Sequence, residues 1–301
     1  MKAKALSTWR FAVEVYEEWT EDNCFRLAAA LSYYTIFSLA PIVLIVITTA
    51  GLFFGREAVT GEVYHQIHDL IGDEGAKAIQ DLVENAYFED KKGLAAWISV
   101  ITLIFSATVT FSVLQDSLNT IWKVKVKPER GFIKFLVPRV LSFAMVVAIG
   151  FLLMVSLIIN TLLVAVEGFI AIFFEKAGVY ILFIVQNLIS LAVITFMFAA
   201  MYKFLPDVIV RWRNVWKASL LTAVLFTIGK SLIGYYLGQS NLATTYGAAA
   251  SIIIILLWVN YSSWIFFIGA EYIYVVARRR GERITPSRYA VRVRWHADEE
   301  E

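Results

Sequence analysis

The stretch AAASIIIILLWVNYSSWIFFIGAEYIYVV, residues Ala248–Val276, decides the fold class, because only one of its side chains, that of Glu271, carries a charge. An α-helix needs about 20 mostly apolar residues to cross about 30 Å of hydrocarbon, and this stretch is long enough. The whole chain of 301 residues is 59% hydrophobic and 17% charged, against about 45–50% apolar and about 25% charged in soluble domains. The sequence therefore predicts a membrane-embedded helical protein.

Five further stretches of the chain have the length and apolar character of a membrane span. Together they predict an all-α, polytopic bundle of six transmembrane helices with a small external helical hairpin at about residues 55–93. In chain order the six predicted spans are Leu27–Phe54, Leu94–Leu114, Val140–Val166, Val179–Met201, Trp216–Leu237 and Ala248–Val276.

The distribution of lysine and arginine predicts how these spans cross the membrane. Basic residues cluster at 123–139, 203–217 and 278–294, after the second, fourth and sixth spans. The loop after the third span has only Lys176, and the loop after the fifth has no basic residue. Because basic loops stay in the cytoplasm, both termini are predicted to be cytoplasmic in a multi-pass membrane protein.

The chain divides into three predicted regions. Residues 1–26 form a cytoplasmic amphipathic segment, residues 27–277 the transmembrane domain, and residues 278–301 a tail that is first basic and then acidic. In the first segment Leu6, Trp9, Val13 and Tyr16 share one helical face. This helix either lies in the membrane interface or packs on the cytoplasmic ends of the bundle, and the sequence leaves both alternatives open.

Polar residues inside the spans are candidates for a substrate site, because such residues are costly in hydrocarbon. Lys230 is the sharpest signal: it either faces an interior cavity and attracts an anionic group, or it snorkels toward the interface. Glu271 either serves a site or pairs with a nearby basic residue. Small hydroxyl residues of the second span either line a cavity or form a packing seam. The remaining candidates are Ser106, Thr110, Asn160, Gln186, Asn187 and Asn260.

Signatures of soluble catalysis are missing from the sequence. It contains no P-loop and no GxSxG, so no catalytic residue is assigned and the chain is not expected to be an enzyme. His65 and His68 are three residues apart, but no third ligand accompanies them. We therefore expect no metal and no cofactor. The positive-inside rule accounts for the basic tail, so the expected partners are membrane lipids and an anionic lipid or solute rather than nucleic acid.

Three strings resemble the YihY/BrkB family of bacterial inner-membrane proteins. They are DNCFRLAAALSYYTIFSLAP at Asp22–Pro41, LQDSLNTIW at Leu114–Trp122 and YGAAASIIIILLWVNYSSWIFFIGAEY at Tyr246–Tyr272. The resemblance implies a six-helix plasma-membrane protein and supplies no catalytic residues. Some members carry an old ribonuclease BN label, which the three histidines of this chain do not support.

The resemblance also favours a function in the cell envelope, because members of the family are associated with serum resistance and with envelope lipid handling. Combined with Lys230 and the polar second span, it predicts a transporter or a translocator of lipids or anionic solutes. The alternative is a membrane scaffold or envelope-maintenance partner that transports nothing. The sequence leaves the substrate, the coupling ion and the oligomeric state open.

Overall fold

The computed structural model describes residues 2–54, 94–127, 177–239, 250–287 and 290–293, and eight helical positions between residues 60 and 80. These parts are mainly helical, as the composition predicts. The long helices are α1 (Lys2–Glu21), α2 (Cys24–Phe54), α3 (Leu94–Ile121), α4 (Ala177–Phe204), α5 (Trp212–Gln239) and α6 (Ala250–Arg279).

Two small antiparallel sheets add to the helices and correct the all-α prediction in detail. Strand β1 (Val124–Val126) pairs with β4 (Ala290–Arg292), and β2 (Val208–Ile209) pairs with β3 (Thr285–Pro286). Strands of two or three residues are too short to show an alternating pattern, which is why the sequence did not predict them. They tie the segment after α6 to the segments that follow α3 and α4.

Helix α6 lies at the centre of the bundle, where it packs against α1, α2, α3 and α5. Helix α2 also packs against α3, and α4 packs against α5. Neighbouring helices run antiparallel: Gly269 of α6 meets Thr222 near the start of α5, and Tyr261 meets Gly229 farther along α5. This arrangement matches spans that cross in alternating directions.

The starts of α2 and α5 and the ends of α3, α4 and α6 meet at one end of the bundle. We call this end the basic pole, because the basic segments predicted from the sequence lie there. Its core is tightly packed around side chains with almost no exposed surface, among them Leu118, Trp122, Tyr202 and Phe267.

Helix α1 packs on the basic pole, which favours the second of the two alternatives for the amphipathic segment. The Phe11 ring meets the Tyr272 ring edge-on with centroids 5.2 Å apart, and Val15 and Trp19 are buried. The face predicted from Trp9 and Tyr16 is not the packed one, since these side chains are 71% and 64% exposed. The packed face therefore lies beside the predicted apolar face, part of which points away from the bundle.

Three helical segments of the described residues are long and apolar enough to cross a membrane: Ile184–Phe204, Trp212–Ile233 and Ile252–Arg279. They coincide with the fourth, fifth and sixth predicted spans. Cys24–Leu39, within the first predicted span, is a shorter apolar helix, and the second predicted span is helical throughout as part of α3. The chain is therefore a helical membrane protein.

Some sequence predictions lie outside the described residues. The third span, Val140–Val166, is one of them, and so are most of the predicted hairpin at about 55–93 and the end of the tail from residue 294. Within the hairpin, described positions such as Tyr64 and Ile79 are helical, in keeping with the predicted helices on both sides of Gly72 and Gly75.

Candidate functional site

Two backbone turns at the basic pole bring opposite charges together. Asn23 adopts a φ of 53° and ends α1, and Lys123 adopts a φ of 55° and ends α3. Asparagine tolerates this left-handed conformation, whereas it is uncommon for lysine. The turns place the Asp22 carboxylate against the Lys123 ammonium in an ion pair that links α1 to α3.

A second set of ion pairs joins α1 to the end of α6. The Arg278 guanidinium donates to Glu14 at 2.6 Å and also to Glu18. Arg279 contacts the other oxygen of Glu14 at 2.5 Å. Although partial burial opposes it, hydrogen bonds from the two arginines lower the pKa of Glu14. These contacts hold α1 on the bundle.

Glu271 lies between these two sets of ion pairs and has no exposed surface. The Cys24 thiol lies 3.8 Å from Glu271 Oε1, a long and weak hydrogen bond. Carboxylate oxygens of Glu18, Asp22 and Glu271 lie within 4.8 Å of one another. Among the described residues, neither Glu271 Oε2 nor Asp22 Oδ2 has a hydrogen-bond partner. We call Glu18, Asp22, Lys123, Glu271 and Arg278 the Asp22 cluster.

The Asp22 cluster borders a cavity of about 540 Å³ at the basic pole. This volume lies within the range of about 300–1,000 Å³ that is usual for small-molecule sites. Both signs of charge line the cavity, while Glu271 lies behind Asp22, away from its wall. Its charged and polar lining includes Glu18, Asp22, Arg26, Lys123, Tyr274 and Arg278.

The surroundings of Asp22 and Lys123 shift their proton affinities. Burial raises the pKa of Asp22, and this effect outweighs the opposing ion pair with Lys123. Burial works to lower the pKa of Lys123, but the hydrogen bond and charge of Asp22 raise it overall. The lysine therefore stays charged, and Asp22 holds a proton more readily than an ordinary aspartate does.

Three carboxylates at one point could in principle hold a metal ion, and the described residues give only a poor fit to one. Lys123 already occupies Asp22 Oδ1, and Arg278 already occupies Glu18 Oε1. A divalent ion would bring two further positive charges next to these bases. We therefore derive no metal chemistry from this cluster.

A second carboxylate at the basic pole, that of Asp207, accepts hydrogen bonds from two buried amides. Asp207 Oδ2 accepts hydrogen bonds from Gln115 at 3.0 Å and from Asn119 at 2.8 Å. The backbone N–H of Asp207 donates to Asn119 Oδ1 at 2.9 Å. We call these three residues the Asp207 cluster. It fastens α3 to the segment between α4 and α5.

Glu282 is the centre of a third polar contact, beyond the end of α6. Gly281 adopts a φ of 65° and turns the chain there, as glycine commonly does after a helix. Glu282 then accepts hydrogen bonds from Asn214 at 2.8 Å and Arg211 at 3.0 Å. The bond from Asn214 and the charges of Arg211 and Arg280 lower the pKa of Glu282.

Of the site residues predicted from the sequence, Glu271 belongs to the Asp22 cluster. The Thr110 hydroxyl instead bonds Ser38 of α2, in keeping with the packing-seam alternative. Gln186 and Asn187 are exposed on α4, so they do not lie in the packed interior.

Whether any of the predicted site residues binds a substrate stays a prediction. Asn260 and Lys230 are half-buried on α6 and α5. Helix α5 packs against α4 and α6, whereas the prediction placed Lys230 beside Ser106 and Thr110 of the second span. The side chain of Ser106 and the whole of Asn160 lie outside what the structure describes.

The sequence reasoning missed the partners of Glu271. Asp22 and Lys123 stand at or beside the ends of the strings that carry the family resemblance: Asp22 opens the first, and Lys123 follows the second directly. Their position at the ends of these strings was the feature of the sequence from which both residues could have been identified. Lys123 and Arg278 were instead interpreted only as topology-determining positive charges.

Comparison with known proteins shows where this architecture belongs. Residues 15–293 match the family described as virulence factor BrkB. The UPF0761 membrane protein RSc1559 of Ralstonia nicotianae is 30% identical over 81% of this chain and 53% of its own length. UPF0761 membrane proteins of Azotobacter vinelandii and Teredinibacter turnerae are 28% and 24% identical over 94% and 89% of this chain.

This chain spans about half to two-thirds of the length of these relatives, since it covers 66% of the Azotobacter protein and 60% of the Teredinibacter protein. No solved structure matches the chain. The relatives' names state that they are membrane proteins and give no activity.

Proposed function

The chain belongs to the virulence factor BrkB family of membrane proteins, and from this premise we propose that it transports an anionic solute or translocates an anionic lipid across the cell envelope. The observation that carries the proposal is the cavity of about 540 Å³ beside the fully buried Glu271. An ionisable side chain within a membrane span is costly and commonly marks a transport pathway.

The charges of the cavity wall indicate the class of substrate. Three bases, Arg26, Lys123 and Arg278, line the cavity together with three acids, Glu18, Glu21 and Asp22. Lys123 and Arg278 are already paired with acids, so the exposed Arg26 in the first turn of α2 is the base of this wall that supports an anionic substrate. Guanidinium groups bind phosphate and carboxylate groups through paired hydrogen bonds. An anionic headgroup or a free anion of the same chemistry fits this wall.

The same proposal includes the topology of the membrane domain. Six spans with both termini in the cytoplasm of a bacterial inner-membrane protein agree with the alternating basic segments and with the meeting of five span ends at the basic pole. On this topology the cavity opens toward the cytoplasm. Reporter fusions at residue 301 and within residues 55–93 should give opposite signals, and a cytoplasmic signal from the loop would contradict six spans.

Reconstitution into proteoliposomes tests the transport proposal. One arm follows inward movement of a fluorescent phosphatidylglycerol analogue, and a second follows uptake of radiolabelled inorganic phosphate. We expect the protein to accelerate one of them over protein-free vesicles. Arg26→Gln should lower that rate about tenfold, whereas Lys125→Gln, on the exposed face of β1, serves as the matched control.

Equal rates in vesicles with and without protein, in both arms, would contradict transport. The alternative of a membrane scaffold would then be favoured, and it predicts that cross-linking recovers a second protein rather than self-contacts alone.

A further inference from the structure

Glu271 lies among several ion pairs but takes part in none of those that the structure describes. Four carboxyl groups are gathered here, those of Glu14, Glu18, Asp22 and Glu271. Lys123 contacts Asp22, Arg278 contacts both Glu14 and Glu18, and Arg279 contacts Glu14. Glu271 is therefore the one of these four carboxyl groups without a paired base among the described residues.

Two buried oxygens also lack donors within the part of the chain that the structure describes. Glu271 Oε2 has no hydrogen-bond partner on a side chain that is fully buried, and Asp22 Oδ2 has none on a side chain that is 8% exposed. Ionised carboxylates only accept hydrogen bonds, so two of them cannot satisfy each other. Burying an acceptor without a donor costs about 1–3 kcal/mol, and more for a charged group. A single donor placed between the two oxygens would relieve both.

We propose that Asp22 and Glu271 share one exchangeable proton and form a proton-binding site that opens into the cavity through Asp22. The proton supplies the missing hydrogen bond and leaves the pair of carboxyl groups with one negative charge instead of two. Two carboxyl groups held close together commonly retain one proton between them. That this proton is coupled to transport rests on the proposed function.

The proton has a direct route. Asp22 lines the cavity and Glu271 lies behind it, about 12 Å from the end of α6 at 1.5 Å per residue. A hydronium ion of the cavity water transfers its proton to Asp22 and leaves as water, and the proton then bridges to Glu271. No electrons move, and the reverse transfer returns the proton to water.

The groups that face the pair from each packed element favour this assignment. Helix α1 contributes Glu18, whose negative charge favours protonation of its neighbours. Helix α2 contributes Cys24, a weak donor to the other oxygen of Glu271. Lys123 follows α3 and favours the ionised form of Asp22, yet burial still raises the pKa of Asp22. Helix α6 contributes Tyr274 and Arg278, which face the cavity.

Infrared difference spectroscopy of the protein in nanodiscs tests the site without any substrate. The wild type should show the C=O stretching band of a protonated carboxyl at neutral pH, sensitive to deuterium exchange and lost as the pH rises. Glu271→Gln and Asp22→Asn should each abolish it, so that the two variants check each other if one folds poorly. Glu282→Gln is the matched control and should leave the band unchanged, because Glu282 is already satisfied by Asn214 and Arg211.

Absence of the band in the wild type, or its persistence in both Glu271→Gln and Asp22→Asn, would overturn the proposal. The same spectra with and without Mg²⁺ test the competing occupant, since loss of the band on adding Mg²⁺ would favour a metal ion instead. In proteoliposomes, an imposed pH gradient should change the wild-type rate severalfold and leave the Glu271→Gln rate unchanged. A titrating band in a protein without flux would support proton binding and contradict the transport function.

Discussion

Asp22 and Asp207 are two carboxylates of the basic pole with opposite surroundings. Asp207 receives two amide hydrogen bonds and anchors its own backbone N–H on Asn119. Asp22 pairs with Lys123 on one oxygen, while its other oxygen lies buried beside Glu271 without a donor. The first arrangement is complete as a structural contact, since it pairs the buried amides of Gln115 and Asn119 and holds helices together. The second arrangement has a carboxylate oxygen that can accept a proton or a hydrogen bond, and it borders a cavity.

The largest loss of stability should come from a substitution in the Asp207 cluster. Asp207→Ala removes two hydrogen bonds to a charged acceptor and leaves the buried amides of Gln115 and Asn119 unpaired, at a cost of about 2–4 kcal/mol. Thermal unfolding in detergent measures this loss. Asp116→Ala, an exposed acid on the same helix, is the control, and an equal loss in both variants would contradict a structural role for the Asp207 cluster.

Removing Lys123 should cost less, because the carboxyl groups of the Asp22 cluster can take up protons in compensation. Lys123→Met is expected to lower the free energy of unfolding by about 1–3 kcal/mol, within the range for disrupting a partly buried pair. The double variant Lys123→Met with Asp22→Asn should recover part of that loss. If the two effects simply add in the unfolding experiment, the ion pair is not energetically coupled.

The pH dependence of stability separates the clusters further. The pKa of Asp22 is raised in the folded protein, so its contribution is complete below its ordinary pKa of about 3.9. That contribution is lost as the pH rises through the folded value. Between pH 5 and 9 the wild-type unfolding temperature should therefore fall with rising pH, and Asp22→Asn should flatten the slope.

The shifts of three other groups outside the predicted spans, those of Lys123, Glu14 and Glu282, act outside that pH window, whereas the raised pKa of Asp116 acts in the same direction as that of Asp22. The raised pKa of Lys123 matters only above about pH 10.4, and the lowered pKa values of Glu14 and Glu282 matter only below about pH 4.3. Glu282→Gln should therefore keep the wild-type slope between pH 5 and 9. An unchanged slope in Asp22→Asn would show that Asp22 does not bind the proton.

The smallest effect on stability is expected at Lys230, which lies in neither cluster. Lys230→Met keeps the length of the side chain and removes a charge from a predicted span, so the unfolding temperature should change by no more than a few degrees. If Lys230 lines the substrate path, the anion or lipid flux should still fall. Full flux in this variant would make Lys230 a snorkelling residue.

The bundle itself was largely predictable, because long apolar stretches such as Ala248–Val276 have few alternatives to a membrane helix. The Asp22 cluster was not, since its members Asp22 and Lys123 are separated by 101 positions and no local pattern links them. Glu271 was identified as a candidate because a charge in an apolar helix is conspicuous. Lys123 and Arg278 were not, because the ends of cytoplasmic spans are basic for topological reasons alone.

The packed face of α1 was missed for a related reason. The apolar spacing of α1 gave no sign that Glu14 and Glu18 bind Arg278 and Arg279, and these ion pairs help to set how the helix lies. The short strands escaped prediction because pairing between the ends of distant helices creates them, not their own composition.

The central claim is that the incomplete cluster carries function and the complete one carries structure. The most direct measurement compares Glu271→Gln with Asn119→Ala, recording for each the unfolding temperature and the flux per folded protein in proteoliposomes. We expect Glu271→Gln to keep the wild-type unfolding temperature and to lose at least about tenfold in flux. Such a loss corresponds to about 1.4 kcal/mol in the barrier to transport. Asn119→Ala should unfold at a lower temperature and keep its flux. Full flux in Glu271→Gln at wild-type stability would contradict the claim.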